Sequence, residues 1–112
     1  MNIGFIGIGL MGKWMSKNIL DAGHKLIIND VSIESGKELI GMGAVWQDNP
    51  MLVASNSDVI FTSLPTPEAV LSVALGEDGI ISGIKEGCSY FDLSTTDPNT
   101  MKDISNELSK KE

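Results

Sequence analysis

The sequence predicts an α/β fold with one doubly wound parallel sheet of about five strands and helices on both faces. Short apolar runs alternate with segments of helical periodicity along all 112 residues. Glycine accounts for 12 residues and aromatic side chains for only 5% of the chain, which is typical of a turn-rich α/β domain. Because this length supports one modest core, we expect residues 1–112 to form a single domain.

The first predicted unit is a strand followed by a helix. An apolar run over residues 3–8 predicts a strand that is buried on both faces, as in a parallel sheet. Residues 10–22 have helical periodicity, and Gly23 is placed to end that helix in a left-handed conformation. We expect the apolar stripe of this helix to lie in the core; it comprises Leu10, Met11, Trp14, Met15 and Ile19.

The remaining elements follow from the same alternation. Apolar runs predict four more strands, over residues 25–29, 44–46, 58–63 and 88–93, and Cys88 is expected to be a buried strand residue. Helical segments are expected over residues 33–40, 51–54, 67–75 and 80–84 and from residue 98 onward. Capping residues precede four of these helices: Ser32, Asn49, Thr66 and Asp97, the last three followed by proline.

Charge and composition exclude several classes of function. The chain carries 8 Lys and Arg against 15 Asp and Glu, a net charge of −7 that repels phosphate backbones and anionic membranes. No apolar stretch approaches the roughly 20 residues of a membrane span. The single cysteine, Cys88, cannot form an internal disulfide, and no basic export signal precedes the first strand. We therefore expect a cytoplasmic protein without nucleic-acid or membrane partners.

A glycine motif lies directly between the first strand and the first helix. In the pattern Gly7-x-Gly9-x-x-Gly12, Gly7 permits a tight turn, Gly9 a close approach of the backbone to a pyrophosphate, and Gly12 close helix packing. The N-terminus of the helix then offers N–H groups to the phosphates. This context predicts a Rossmann-type dinucleotide site, although the glycines could instead be turn residues in a glycine-rich chain.

Asp30 ends the second predicted strand, 18 residues after Gly12. A carboxylate there accepts hydrogen bonds from the ribose hydroxyls of the adenosine and repels a 2′-phosphate. No Lys or Arg occupies residues 31–33 to offset that charge, so NAD is favoured over NADP. The alternative is a turn residue or a cap for the following helix.

Two further candidate segments follow the fourth and fifth strands. Ligands of parallel sheets bind beyond the carboxyl ends of the strands, so Leu64 and Pro65 are expected near the nicotinamide. Ser94 and Thr95 offer hydroxyl groups to a carboxylate or to the nicotinamide amide. The alternatives are a strand-to-helix turn containing proline and, for the second segment, a helix cap led by Asp97.

Taken together, three segments resemble the β-hydroxyacid dehydrogenase family, which includes 3-hydroxyisobutyrate and 6-phosphogluconate dehydrogenases. They are the stretch from Ile6 to His24 with its Gly-Leu-Met-Gly core, the Leu64-Pro65-Thr66 turn, and the run Asp92-Leu93-Ser94-Thr95-Thr96-Asp97-Pro98. The resemblance spans the whole chain. It implies a set of cofactor-binding residues: Gly7, Ile8, Gly9, Leu10, Met11, Gly12, Asp30, Leu64, Pro65 and Thr95.

The resemblance also implies the reaction. Ser94 matches a residue that binds the substrate carboxylate, and the activity would be hydride transfer between a nicotinamide cofactor and a 3-hydroxy acid. NADP-preferring members typically read Asn-Arg-Thr where this chain reads Asp30-Val31-Ser32, so NAD is expected, with NADP as the alternative.

Family members also continue past this point into a helical domain, which supplies a catalytic lysine and, we expect, a homo-oligomer contact. No lysine of this chain lies in that catalytic motif, so no catalytic residue is assigned. We expect residues 1–112 to be the N-terminal part of a longer two-domain enzyme and to be inactive alone. The alternative is a stand-alone, non-catalytic dinucleotide-binding or sensing module.

Overall fold

A five-stranded parallel sheet is the centre of the computed structural model, which describes residues 1–93 and 98–111. Its strands are β1 (Asn2–Ile6), β2 (Lys25–Asn29), β3 (Val45–Trp46), β4 (Val59–Thr62) and β5 (Ser89–Asp92). Their order across the sheet is β3-β2-β1-β4-β5, and every neighbouring pair is parallel. The order reverses at β1, so a crevice is expected where β1 and β4 end.

Helices cover both faces of the sheet, as predicted. They are α1 (Leu10–Asp21), α2 (Lys37–Gly41), α3 (Pro50–Ser55), α4 (Pro67–Leu75), α5 (Ile80–Gly83) and α6 (Pro98–Lys111), with a 3-10 turn over Ile33–Gly36. Phe5 and Ile28 pack with α1 and α2 on one face, whereas Ile6 and Ile27 pack with α3 to α6 on the other. Neighbouring strand residues thus enter opposite cores, which explains the uninterrupted apolar runs.

Local capping chemistry sets several helix boundaries. Asn49 Oδ1 accepts a hydrogen bond from Leu52 N at 2.9 Å, and Thr66 Oγ1 accepts one from Ala69 N at 3.1 Å. Both residues cap their helices as predicted; α4 begins where predicted, and α3 begins one residue earlier, at Pro50. Gly23 follows α1 with φ +89°, the left-handed conformation expected of it.

The prediction that Ser32 caps a helix over residues 33–40 is correct for the position of the helical segment and wrong for its capping bond and helix type. The Ser32 side chain makes no capping hydrogen bond, and its backbone N–H donates instead to Asp30 Oδ1 at 3.0 Å. The segment divides into the 3-10 turn and the short α2. The predicted Asp97 cap lies outside the described residues.

The prediction that Trp14 and the methionine Met11 belong to the core is also wrong. Trp14 is 68% exposed and Met11 is 60% exposed. The buried side of α1 is centred on Gly12 and Ser16, and Trp14 lies about 200° around the helix from Gly12. Cys88 is half-buried and directly precedes β5 rather than lying within it. Among the described residues, no helix has both the length and the apolar character needed to cross a membrane.

Candidate functional site

An open cleft of about 710 Å³ lies at the carboxyl edge of the sheet, where β1, β2 and β4 end. Its walls come from the loop after β1, the end of β2, the turn after β4 and one side of α4. The lining residues are Ile6, Gly7, Ile8, Gly9, Met11, Asn29, Asp30, Val31, Ser35, Ser63, Leu64, Pro65, Ala69, Ser72 and Val73. Asp30 is the one ionisable side chain among these described lining residues.

Gly7 makes the tight turn that ends β1. Its φ is +97°, and a Cβ at this position would collide with the carbonyl oxygen of Ser63 and lie 2.9 Å from Leu64 Cδ2. Its N–H donates to the carbonyl oxygen of Asn29 at 3.0 Å. Only glycine suits this backbone conformation in so narrow a space, and the loop is thereby held against both β2 and the turn after β4.

The other two glycines of the motif differ from each other. A Cβ on Gly12 would collide with the carbonyl oxygen of Gly7 and lie 3.1 Å from Phe5 Cε1, so Gly12 allows α1 to pack closely on the strand. A Cβ on Gly9 would have no neighbouring atom within 4 Å. The turn and packing roles that the motif predicts are therefore present, and Gly9 leaves its surroundings open for a ligand.

The start of α1 is suited to an anion. Gly9 is its N-cap and supplies no capping side chain, and no acidic residue lies in the first turn. Lys13 N donates to the carbonyl oxygen of Gly9 at 2.8 Å, which begins the helical pattern. By the geometry of an α-helix, the N–H groups of Leu10, Met11 and Gly12 precede the first intrahelical donor, and they share the positive end of the helix dipole.

Asp30 lines the same cleft as this helix start and is hydrogen-bonded to the glycine loop. Its Oδ2 accepts a hydrogen bond from Ile8 N at 2.6 Å, and its Oδ1 accepts the bond from Ser32 N. The interpretation of Asp30 as a turn residue is therefore correct for the bond to Ser32, but it does not include the bond to Ile8. Two carboxylate oxygens have about four lone-pair sites, so the side chain retains capacity to accept bonds from ribose hydroxyls.

Most residues of the predicted cofactor set come together in the cleft. Gly7, Ile8, Gly9, Met11, Asp30, Leu64 and Pro65 all line it. Leu10 and Gly12 belong to the first turn of α1 beside it. Ser94 and Thr95 lie outside the described residues, so their predicted roles stay predictions.

The apolar half of the cleft was not predicted from the sequence. Val31 is fully exposed directly after Asp30, and Ala69 and Val73 line the opposite wall one helical turn apart on α4. The sequence signal for this surface is the spacing of Ala69 and Val73, four residues apart in the helix that follows the Leu64-Pro65 turn. Apolar residues in a cleft, however, have the same sequence pattern as core residues.

Comparison with protein families identifies the chain. Residues 2–112 match the family described as the NAD binding domain of 6-phosphogluconate dehydrogenase. The chain belongs to this family. The family resemblance inferred from the three sequence segments is thereby confirmed, as is the presence of a NAD-binding domain.

Curated relatives are oxidoreductases. Mitochondrial 3-hydroxyisobutyrate dehydrogenase of Bos taurus is 38% identical over 108 residues, which are 96% of this chain and 32% of that protein. The uncharacterized oxidoreductase YkwC of Bacillus subtilis (strain 168) is 36% identical over 109 residues, 97% of this chain and 38% of that protein. The chain thus spans about a third of the length of these relatives.

Solved structures confirm the fold. A 3-hydroxyisobutyrate dehydrogenase of Mycobacterium tuberculosis superimposes with a TM-score of 0.89 at 23% identity, over 98% of this chain and 37% of that one. Psf3, solved in complex with NADP+ and 2-OPP, gives a TM-score of 0.89 at 26% identity, over 97% of this chain and 39% of that one. The chain is a NAD-binding domain of the kind found in 3-hydroxyisobutyrate dehydrogenase-like oxidoreductases.

Proposed function

We propose that residues 1–112 provide the cofactor site of a longer enzyme that transfers a hydride between a nicotinamide cofactor and a small 3-hydroxy acid. The observation that carries the proposal is the convergence of the glycine loop, the start of α1 and Asp30 on one cleft. The substrate class rests on relatives named 3-hydroxyisobutyrate dehydrogenase. Those relatives are about three times as long, which supports a second domain beyond this one.

In this proposal the cleft holds the adenosine and pyrophosphate groups. The pyrophosphate approaches the backbone at Gly9 and accepts hydrogen bonds from the first-turn N–H groups of α1. Asp30 accepts bonds from the ribose hydroxyls, while Val31, Ala69 and Val73 offer apolar surface to the adenine ring. Leu64 and Pro65 share this cleft with Asp30, so we assign them to the adenosine half of the cofactor instead of the nicotinamide position expected from the sequence. When bound, the cofactor supplies the hydride acceptor.

The first prediction concerns the choice of cofactor. A 2′-phosphate beside Asp30 would meet a carboxylate, and Val31 and Ser32 offer no cation to offset it. We therefore expect calorimetric titration of the chain to give NAD+ an affinity roughly tenfold or more above that of NADP+. The variant Asp30→Asn should reduce this preference, because it removes the charge and keeps the size of the side chain.

Asp58→Asn is the matched control for this experiment. It removes the same charge from an exposed side chain at the start of β4, the opposite edge of the sheet from the cleft. We expect it to leave the ratio of the two affinities unchanged. Equal or tighter binding of NADP+ by the wild-type chain would contradict the preference for NAD. Psf3, a protein of similar fold, was solved with NADP+, so the preference of this chain has to be measured with both cofactors.

The remaining expectations belong to the whole enzyme. We propose that the Ser94 hydroxyl contacts the substrate carboxylate and that a lysine of the second domain moves the proton of the substrate hydroxyl. Homo-oligomerisation through that domain and a reducing cytoplasmic location stay predictions. Two related proteins are named as mitochondrial and chloroplastic, so the cellular location has to be measured directly.

A further inference from the structure

One face of the sheet is open at β4 and β5, among the residues that the structure describes. In β4, Ile60 is fully buried, whereas Phe61 is only half-buried. In β5, Tyr90 is half-buried, whereas Phe91 is 52% exposed. Neighbouring residues of a strand point to opposite faces, and Phe61 and Phe91 are partners in the register, so the less buried side chains share one face. We call it the open face; it comprises the side chains of Val59, Phe61, Ser89 and Phe91.

A row of stacked aromatic rings leads from the core to the open face. Phe5 of β1 is fully buried. Its ring centroid lies 5.9 Å from that of Phe61, which in turn lies 5.6 Å from that of Phe91, with interplanar angles of 28° and 24°. Aromatic pairs at such distances attract each other beyond the effect of burial alone. The row thus carries the apolar core across β4, and its last ring reaches solvent in the described part of the chain.

The positions of the helices explain where the cover of this face stops. Helices α1 and α2 contribute Met15 and Leu39 to the apolar cluster around Phe5. Lys13 of α1 contacts Glu38 of α2, so α2 lies on the flank of α1 that is turned towards β2 rather than towards β4. Helices α3 to α6 pack on the opposite face of the sheet. None of the helices that the structure describes therefore covers the open face.

An uncovered apolar face is unusual in a parallel sheet. All-parallel sheets occur almost only where both faces are covered, and every neighbouring pair of strands in this sheet is parallel. Contiguous apolar surface exposed on a small protein marks a site of interaction. None of the four side chains of the open face is ionisable, so the matching surface is expected to be apolar rather than charged.

We propose that the polypeptide after residue 112 of the longer enzyme packs on the open face and buries Phe61 and Phe91. The inference rests on the proposed function, which makes this chain one domain of a longer enzyme. The relatives have enough additional chain for such a cover, because the chain spans 32% and 38% of the two curated oxidoreductases. A second copy of this chain is a poorer occupant, since each copy carries a net charge of −7 and like charges repel.

The test measures access of a small reagent to the open face. Ser89→Cys places a thiol on that face at an exposed position, and a Cys88→Ser background removes the native thiol. The rate of reaction with N-ethylmaleimide is measured under native conditions in the 112-residue chain and in the longer product of the same reading frame. We expect rapid reaction in the short chain and a reaction at least roughly tenfold slower in the longer product, because a covered thiol reacts only when the cover opens.

Two further variants make the comparison specific to this face. Phe91→Cys, in the same background, places the thiol at the end of the aromatic row and should show the same slowing in the longer product. Ser82→Cys is the matched control, since Ser82 is exposed in α5, which packs on the opposite face. Its thiol should react equally fast in both proteins. The short chain is also measured at low and at high concentration, with its mass followed by light scattering.

The outcomes separate this inference from the proposed function. Equal rates in the two proteins for Ser89→Cys or Phe91→Cys, or a similar slowing of Ser82→Cys, would overturn the cover while leaving NAD+ binding by the cleft in place. A rate in the short chain that falls with concentration as a dimer forms would assign the face to a second copy and overturn it as well. A reading frame that ends at residue 112 would overturn the cover and the second domain together. Protection in a longer product that binds no NAD+ would keep the cover and overturn the proposed function.

Discussion

The three glycines of the loop after β1 differ at the level of single residues, and that difference is testable. Gly9 has φ −81°, which any residue adopts, and a Cβ there meets no atom within 4 Å. We expect Gly9→Ala to fold with a melting temperature within about 2 °C of the wild type. Alanine is a weaker N-cap than glycine, but it also reduces the conformational entropy of the unfolded chain, and the two effects oppose each other. The added methyl group should nevertheless obstruct the pyrophosphate and weaken NAD+ binding at least roughly tenfold.

Two other glycines serve as controls for that variant. Gly41→Ala also adds a methyl group in open space, at the end of α2 outside the cleft, and should change neither stability nor affinity appreciably. Gly7→Ala places a side chain at φ +97° against the Ser63 carbonyl and should lower the free energy of unfolding by about 2 kcal/mol or more. If Gly9→Ala bound NAD+ as well as Gly41→Ala does, the assignment of a phosphate-binding loop would be wrong.

At the scale of elements, local signals predicted boundaries well and orientations less well. Asn49 and Thr66 cap their own helices, so two or three neighbouring residues contain the whole signal for α3 and α4. The segment after β2 depends instead on the Asp30 carboxylate, which bonds both Ser32 and the distant Ile8. The long-range half of that arrangement has no local signature in the sequence.

The orientation of α1 illustrates a second limit. The apolar residues of this helix would allow several of its faces to pack on the sheet, and the sizes of the side chains decide which face does so. Gly12 must face the sheet, because a Cβ there would collide with the Gly7 carbonyl oxygen and crowd Phe5. That close approach turns Ser16 inward and leaves Met11 and Trp14 outside. Hydrophobicity alone predicts the opposite arrangement.

The candidate site was predictable to a similar extent. The glycine loop, Asp30 and Leu64-Pro65 follow from motif and position at the carboxyl edge. The hydrogen bonds of Thr62 with Tyr90 and Asp92, which lie beside the site, do not follow from the sequence. They depend on the register of β4 against β5, which fixes which residues of the two strands lie opposite each other. Register becomes visible only once the strands are paired.

An exposed carboxylate also joins two elements, α1 and α2. Glu38 of α2 contacts Lys13 and Lys17 of α1, the latter at 2.8 Å, and these hydrogen bonds, Lys13 first, lower the pKa of Glu38 from 4.5 to about 2. Because the folded pKa lies below the unfolded one, the pair favours the folded state above about pH 4.5, and this contribution is lost as the pH falls towards 2. The effect should be small and sensitive to salt, since the group is exposed.

The titration of Glu38 can be followed directly. NMR of its side-chain carboxyl carbon should give a midpoint near 2 in the wild type and a midpoint closer to 4.5 in the double variant Lys13→Met/Lys17→Met. Lys85→Met/Lys102→Met removes the same total charge from exposed lysines in the loop before β5 and in α6, and it should leave the midpoint where it was. A wild-type midpoint near 4.5 would contradict the contact between these elements.

At the scale of the whole molecule, the described lining of the cleft is rich in backbone and apolar groups suited to a cofactor and contains one ionisable side chain. Asp30 is the one ionisable group among its described lining residues, and its carboxylate accepts hydrogen bonds from Ile8 N and Ser32 N while keeping capacity for the ribose hydroxyls. Lys13 and Lys17, the lysines of α1, are engaged by Glu38. Under the proposed function, hydride transfer from a hydroxy acid requires a group that accepts the hydroxyl proton, and we expect that group to be one other than the described lining residues of this cleft.

We therefore expect the 112-residue chain to bind NAD+ yet produce no measurable NADH from 3-hydroxyisobutyrate or glycerate. A positioned acid/base contributes roughly 10²- to 10⁴-fold, and the absence of a second domain to orient the substrate deepens the deficit. The assay follows NADH absorbance with the 112-residue chain and with any longer product of the same reading frame. Activity confined to the longer product, and lost when a lysine of its second domain is replaced, agrees with a two-domain enzyme. Turnover by the short chain would show that its own lysines or His24 supply the base, whereas inactivity of both chains despite NAD+ binding would favour a stand-alone binding module.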